Sequence, residues 1–218
     1  MGRHPEETKA RILTNATRHF AANGFAGARM DEIASASRIN KRMLYHYFDD
    51  KQGLYERVLV AQMKHMYEAI RVSHLPHEKP DSIIRHAIGL YFDYCRDHPD
   101  YIALMLWEMV SGWETLSRIA DELVDPVHNV LIEAIDAGIT QGLFDSGMNP
   151  GLFVAMATVQ IFGFFPMLKH PHLVKNGRAV MPTSDEMEMH KQQMTTYLLR
   201  AIEYRPSLDP TIMNQGEA

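Results

Sequence analysis

Apolar residues recur at helical spacing along almost the whole chain, and the alternation typical of strands is nearly absent. In the first segment, from Glu6 to Ala22, the apolar face consists of Ile12, Leu13, Ala16 and Phe20. This spacing predicts an amphipathic helix. Asn23-Gly24 is expected to end it, because glycine readily adopts the left-handed conformation found after helix ends. The pattern as a whole predicts an all-α protein.

Three further helices are predicted before residue 73, and two of them are short. They span about Met30–Ser37, Lys41–Phe48 and Lys51 to about Arg71. Residues 38–40 join the two short helices, and Asn40 is a favourable N-cap for the second. Asp49-Asp50 is expected to cap the long helix. Two short helices joined by three residues predict a helix-turn-helix.

Longer helices follow a segment that contains Pro76 and Pro80. Proline, glycine and asparagine punctuate the pattern and predict helices over about 81–97, 99–111, 113–142, 150–169 and 184–204. Pro126 is expected in the first turn of a new helix, which splits the third of these at Asp125. The predicted organisation is a helix-turn-helix head (1–50), a connecting helix (51–72), a larger helical body (73–204) and a flexible tail (205–218).

The composition fits a cytoplasmic protein. The 218 residues include a single cysteine, Cys95, so an internal disulfide is excluded and a reducing compartment is indicated. The N-terminal residues lack the apolar core of a signal peptide. The longest apolar stretch, Leu152–Leu168, is short and interrupted by polar residues, so we expect no membrane span and no membrane partner.

Charge is divided unevenly along the chain. Residues 1–72 contain 12 Lys and Arg against 8 Asp and Glu, a net charge of +4. Residues 73–218 contain 10 against 19, a net charge of −9. A basic head on an acidic body indicates that the head is the part that meets a polyanion.

The second helix of the helix-turn-helix has the side chains that reading DNA requires. Leu44 and Phe48, four residues apart, form its inner face, and the remaining side chains point outward. The outward candidates for DNA binding are Lys41, Arg42, Met43, Tyr45, His46 and Tyr47. The two cations can reach guanine, the methionine a thymine methyl, and the aromatic hydroxyls and imidazole phosphate oxygens. The alternative is that the aromatic cluster is simply the core of a small domain.

The run IASASRINKRMLYHYFDDKQGLYERVL resembles the DNA-binding domain of the TetR family of transcriptional regulators. The resemblance covers residues 8–60 and implies that Tyr45, Tyr47 and Lys51 contact phosphates. Two positions depart from the common pattern. Met30 stands where a Thr or Ser often caps the helix and binds a phosphate, and Arg38 stands where the turn often has Gly. In this family the body binds a small effector and forms a dimer through two helices of each subunit.

The body contains candidates for both roles. Candidates for an apolar effector pocket are Tyr91, Tyr94, Met105, Trp107, Met109 and Trp113, with His128 as a hydrogen-bonding group. The alternative for most of these residues is ordinary core. The segment 151–168 is apolar on too many faces for the surface of a monomer, so a second copy is expected to cover it. The candidate dimer residues are Phe153, Met156, Val159, Phe162, Phe165, Tyr197 and Leu198.

No catalytic motif or metal-ligand spacing is found in the sequence, although it contains 12 histidines. We therefore expect no enzyme activity, no metal and no cofactor. The leading interpretation is a homodimeric repressor that a small, largely apolar effector releases from a pseudo-palindromic operator. The alternatives are a DNA-binding regulator or activator without a small-molecule effector, and a helical carrier or enzyme.

Overall fold

The computed structural model describes residues 5–72, 79–123, 126–168 and 182–203. Helices dominate these residues, and the predicted all-α class is confirmed. The α-helices are α1 (Pro5–Gly27), α2 (Met30–Ala36), α3 (Lys41–Phe48), α4 (Lys51–Val72), α5 (Pro80–Asp97), α6 (Pro99–Val110), α7 (Glu114–Arg118), α8 (Pro126–Thr140), α9 (Pro150–Met167) and α10 (Ser184–Ile202). A 3₁₀ turn, Ala120–Glu122, follows α7. Within the described part of the chain, the strand-like pairing is one isolated bridge between Phe144 and Glu203.

The helices form two compact units. The first unit comprises residues 1–74, 90–127 and 159–181, and the second comprises residues 75–89, 128–158 and 182–218. The predicted tail, 205–218, and most of the predicted break between α9 and α10 lie outside the described residues. The predicted division into head, connecting helix and body remains a prediction.

In the first unit, α1 changes direction at Gly24. This residue has φ 66° and ψ 179°, so regular helical geometry ends where Asn23-Gly24 predicted it, and a short further turn reaches Gly27. A Cβ on Gly24 would lie 2.9 Å from Cδ2 of Trp107, whose Nε1 donates a hydrogen bond to the carbonyl oxygen of Ala21 (3.1 Å). Both the positive φ and the indole ring therefore require glycine at this position.

The core formed by α1, α3 and α4 is built from the apolar faces that the sequence pattern defines. Ile12, Ala16 and Phe20 of α1 are buried, as are Leu44 and Phe48 of α3. The apolar face of α4 is buried beside them through Leu54, Val58 and Leu59. Burial of these side chains is what holds helices as short as α2 and α3 in place, since isolated helices of seven or eight residues are not stable in water.

The turn between α2 and α3 contains a strained residue, Arg38, with φ 53°. The turn tolerates this side chain because Arg38 is exposed. Positive φ is unfavourable for a residue with a Cβ, whereas glycine adopts it readily.

We expect Arg38→Gly to raise the free energy of unfolding by about 0.5–1 kcal/mol, the relief of strain exceeding the entropy cost of glycine. The matched control is Arg18→Gly on the exposed side of α1. This change should lower the free energy of unfolding by about 1 kcal/mol. Urea denaturation of the three proteins measures both changes. A loss of stability for Arg38→Gly would contradict the assignment of strain to this turn.

The second unit has its own small core. Ile135 of α8, Phe144 and Phe153, together with Leu198 and Ile202 of α10, are buried. The peptide N–H of Asp145 donates to the carbonyl oxygen of Ile202 (2.9 Å), which ties the segment after α8 to the end of α10. Helix α10 begins with a capping box in which Thr183 and Glu186 bond each other's backbone N–H groups.

Candidate nucleic-acid interface

Helix α3 exposes a row of polar and aromatic side chains from a fixed base. Arg42, Tyr45 and His46 are exposed, whereas Leu44 and Phe48 are buried as predicted. The predicted N-cap is confirmed, because the side-chain Oδ1 of Asn40 accepts from the backbone N–H of Met43 (2.8 Å). The cap and the two buried residues fix the helix, so the exposed side chains are presented from a rigid element.

Lys41 is exposed on this surface, but its side chain forms an ion pair. Its Nζ lies 2.8 Å from Oδ1 of Asp31, in the first turn of α2. The hydrogen bond from Lys41 lowers the pKa of Asp31, and the same bond raises the pKa of Lys41. Arg42, by contrast, forms no ion pair with any described residue. Of the two cations predicted to read bases, the structure therefore leaves Arg42 as the unengaged one.

The other candidates lie at the end of α3 and the start of α4. Met43 is half-buried, and so is Tyr47, whose ring is close to those of His46 and Phe48. Nζ of Lys51 donates to the carbonyl oxygen of Ala26 (3.2 Å). It also lies 4.9 Å from the ring centre of Phe25, and burial lowers its pKa. Lys51, the first residue of α4, is thus held against the end of α1.

The helix-turn-helix is clamped by a residue that the sequence did not single out. Nε of Arg11 in α1 donates to the backbone carbonyl of Ser37 in the turn (3.0 Å). Ser37 is buried, and its Oγ has no hydrogen-bond partner among the described residues. The signal in the sequence is weak, because an arginine among the many polar residues of α1 resembles a solvent-exposed residue.

Helix α2 begins at Met30, which is buried, and Arg29 at its N-cap position provides no side-chain hydrogen bond. The cap expected at the position of Met30 in the TetR family is therefore missing here. At the other junction, Oδ1 of Asp50 accepts from the backbone N–H of Gly53 (2.7 Å) and caps α4 as predicted. The intervening Asp49 has φ 54°, and the N–H of Asp50 bonds the carbonyl oxygen of Phe48 (2.6 Å), so the link from α3 to α4 is short and tight.

The effector candidates separate into two groups in the first unit. Tyr91, Tyr94 and Met105 are buried. The hydroxyls of Tyr91 and Tyr101 lie 3.2 Å apart, and the ring of Tyr94 packs edge-on against Tyr101 at 5.2 Å. Burial raises the pKa of all three tyrosines, so their hydroxyls stay protonated.

Two further histidines, His65 and His98, join this aromatic cluster. Nδ1 of His65 in α4 lies 3.2 Å from the hydroxyl of Tyr94. The ring of His98 stacks on Tyr94 at 4.0 Å and meets His65 edge-on at 5.0 Å. Only the fold brings them together, because 33 positions in the sequence separate the two histidines.

The second group lies at the other end of α6. Trp107 packs on α1 as described above, Met109 is exposed, and Trp113 is half-buried with φ 62° at the start of α7. The structure does not bring these three residues to the cluster of Tyr91 and Tyr94. His128, in the second unit, is half-buried.

The dimer candidates also separate by burial. Phe153, Phe162 and Leu198 are buried within the chain, and Phe165 is half-buried against the ring of Phe92. Met156, Val159 and Tyr197 are exposed. Further exposed apolar residues, which are not among the predicted dimer residues, are Leu152 and Met167 on α9 and Met189 on α10.

Within the described ranges, no group of three or more His, Cys, Asp or Glu is placed to hold a metal ion. Among the same residues, α9 is the one helix whose length and composition match a membrane span, and only about a fifth of it is buried. A helix that a partner protein covers has the same composition. Length and composition alone therefore do not distinguish a membrane span from a helix at a protein interface.

Two family models match most of the chain. The model for bacterial regulatory proteins of the tetR family matches residues 12–58, which include α2 and α3. The model for the tetracyclin repressor-like C-terminal domain matches residues 80–197.

Two known transcriptional regulators are similar to the chain over 106 and 161 residues. The HTH-type transcriptional repressor SCO4008 of Streptomyces coelicolor is 39% identical over 106 residues. This match covers 49% of the chain and 52% of SCO4008, so the chain spans about half of that relative's length. The HTH-type transcriptional regulator RutR of Escherichia coli is 32% identical over 161 residues, which cover 72% of the chain and 74% of RutR.

Solved structures share the fold over most of the chain. A tetR family transcription regulator from Shewanella superposes with a TM-score of 0.71 at 17% identity, covering 91% of the chain and 99% of the Shewanella protein. An identity this low supports the fold alone. The fold agrees with the predicted architecture, and both domain models and the identity to RutR agree with the predicted family and with a regulator rather than an enzyme. The chain belongs to the TetR family of helix-turn-helix transcriptional regulators.

Proposed function

We propose that the protein is a homodimeric repressor that binds double-stranded DNA through α3 and is released from its operator by a small, largely apolar effector. The observation that carries the DNA-binding part is the exposed row of Arg42, Tyr45 and His46 on a capped helix with a buried inner face. A helix of this kind fits the major groove, where an arginine can donate two hydrogen bonds to guanine. Tyr45, Tyr47 and Lys51 are proposed to contact phosphates.

The homodimer is supported by the exposed apolar residues of α9. Leu152, Met156, Val159 and Met167 are spaced four, three and eight residues apart, which places them on one side of the helix. Helix α9 contains no charged residue at all, and α10 adds exposed Tyr197. An apolar stripe of this length is unfavourable in water, and a second copy of the chain would bury it around a two-fold axis.

A dimer also suits DNA recognition. One helix of eight residues contacts too few bases for high specificity. Two copies related by a two-fold axis would read the two halves of a pseudo-palindrome with twice as many contacts.

The effector part rests on the aromatic cluster around Tyr94. Aromatic rings surround a small number of hydroxyl and imidazole groups there, which is the usual composition of a site for an apolar ligand with a few polar atoms. The family and the proposed partners, DNA and a second copy, support a location in the cytoplasm.

In-vitro selection from random DNA duplexes tests the proposal. Wild type is expected to enrich a pseudo-palindrome, and the logarithm of its affinity should fall linearly with the logarithm of salt concentration, because phosphate contacts release counterions. Sequencing of the selected duplexes shows the enrichment, and fluorescence anisotropy measures the affinity at each salt concentration. Failure to enrich any sequence would contradict sequence-specific binding, and a flat salt response would contradict the assigned phosphate contacts.

The ion pair between Asp31 and Lys41 leads to a prediction about DNA affinity. Removing the carboxylate by Asp31→Asn frees Lys41 and deletes a negative charge beside the DNA-binding helix. We expect tighter binding to all duplexes and a salt slope steeper by about 1, the value for one more phosphate contact. The matched control is Glu7→Gln, an exposed acid in the first turn of α1. Unchanged or weaker binding of Asp31→Asn would contradict this role of Asp31.

A further inference from the structure

Glu108 in α6 is a buried carboxylate that the proposed DNA contacts do not use. It is 1% exposed, and within the described part of the chain no Lys, Arg or His lies within ion-pair distance of it. Burying a charge without a cation is unfavourable, so a carboxylate at such a position needs hydrogen bonds that compensate for the lost water.

Two hydrogen bonds hold this carboxylate, and they come from different helices. Oε1 accepts from the hydroxyl of Tyr55 in α4 (2.9 Å), and Oε2 accepts from the backbone N–H of Leu116 in α7 (2.9 Å). Burial and then the Glu108 charge raise the pKa of Tyr55, so the phenol remains a donor. Glu108 thus joins α4, α6 and α7 through one side chain.

The neighbouring residue, Trp107, attaches α6 to α1. Its indole N–H bonds the carbonyl oxygen of Ala21, and its ring covers Gly24. The consecutive residues Trp107 and Glu108 therefore hold α1 and α4 respectively. Exposed ion pairs between Arg118 and Glu56 and between Arg57 and Glu122 lie in the same region, but exposed pairs contribute little.

Tyr55 lies close to the junction between α4 and α3. It is four residues after the start of α4, and its ring packs against Phe20 at 4.8 Å and Phe25 at 5.3 Å. Asp49-Asp50 is the whole link between α3 and α4, and it is fixed by the Asp50 to Phe48 backbone bond. A change in the angle of the first turn of α4 must therefore move α3 as well.

We propose that Glu108, through its hydrogen bond to Tyr55, is a positioning residue that fixes α4 and the recognition helix α3 at an angle suited to one spacing of operator half-sites. This inference rests on the proposed function as a dimeric DNA-binding protein. Without the carboxylate, α4 can tilt in its first turn, and the two recognition helices of a dimer then tolerate several half-site spacings.

The test compares wild type, Glu108→Gln and Tyr55→Phe as full-length proteins. The DNA is the pseudo-palindrome selected by wild type, together with versions in which one base pair is added or removed between the half-sites. Glu133→Gln, an exposed glutamate of α8, is the control for loss of charge. Wild type and Glu133→Gln should prefer the selected spacing, and in both Glu108→Gln and Tyr55→Phe this preference should fall by about tenfold. The double variant should lose no more than the more affected single variant, because Glu108→Gln replaces the charged acceptor of this bond by a weaker amide acceptor and Tyr55→Phe removes its donor, so both changes act on one bond.

The spacing preference separates positioning from a merely structural role. A destabilised protein loses active fraction and affinity for every duplex alike, and its ratio of affinities between spacings stays unchanged. An unchanged ratio in Tyr55→Phe and Glu108→Gln overturns the inference while the proposed function stands. A wild type without any spacing preference overturns the proposed dimeric recognition and this inference with it.

Discussion

Replacing Met156 by glutamate is expected to turn the protein into a 25.0 kDa monomer that no longer binds its operator. Met156 is 54% exposed in the single chain and lies in the middle of the apolar stripe of α9. Burying an unpaired carboxylate there costs about 2 kcal/mol per copy even after partial relaxation. A two-fold interface contains the change twice, so the dissociation constant of the dimer should rise roughly a thousandfold.

The matched control for this change is Val110→Glu. Val110 is 78% exposed at the end of α6, so the same charge on an exposed apolar residue outside α9 should leave the dimer intact. Light scattering at micromolar concentration, without detergent, gives the molar mass, and anisotropy gives operator binding. A Met156→Glu dimer with wild-type affinity would show that α9 does not form the interface. A monomeric wild type would contradict the dimer itself.

Much of the fold can be predicted from the sequence, because local signals determine where its helices begin and end. The bounds of α3 follow from Asn40 as N-cap and from Leu44 and Phe48 as its buried face, and the structure has the helix over the predicted residues. Proline likewise marks where α5, α6 and α9 begin, since its fixed φ suits the first turn of a helix. In the segment 113–142, α8 begins at Pro126 as predicted, whereas the described residues before it are less regular than predicted, because among them only Glu114–Arg118 and a 3₁₀ turn are helical.

Side-chain partners across the fold are much harder to predict. The sequence places Lys41 on an outward face, but the ion pair with Asp31 depends on how α2 packs against α3. In the same way, the composition of α6 places Trp107 with the other large apolar residues, whereas its indole N–H bonds α1. Nothing in the local sequence separates buried Glu108 from an ordinary exposed glutamate, since its partners lie 53 and 8 positions away.

The apolar segment of α9 shows an intermediate case. Its composition predicts that several faces are covered, and the structure shows which ones the chain covers itself. Phe153 and Phe162 are buried internally, while Leu152 and Met156 remain exposed. Residues that fill the core and residues that remain for a partner have the same chemistry, so only the packed structure separates them.

The second large effect is expected at Arg42. It is exposed on α3 without an ion pair to any described residue, so its guanidinium is available to donate two hydrogen bonds to a guanine. We expect Arg42→Ala to reduce discrimination at one base pair of each half-site by about 1–3 kcal/mol, or roughly 5- to 150-fold. Competition between the selected duplex and single-base variants measures this loss of specificity.

Two comparison variants, Tyr45→Phe and Lys41→Ala, distinguish base reading by Arg42 from a general loss of DNA affinity. Tyr45→Phe removes a proposed phosphate contact, so it should weaken binding to all duplexes equally and leave the base preference intact. Lys41→Ala should affect base preference less than Arg42→Ala, because Asp31 already engages the lysine. If Lys41→Ala relaxes specificity more than Arg42→Ala, then Lys41 leaves Asp31 on binding DNA and reads the base itself. If neither does, α3 does not read bases through these cations.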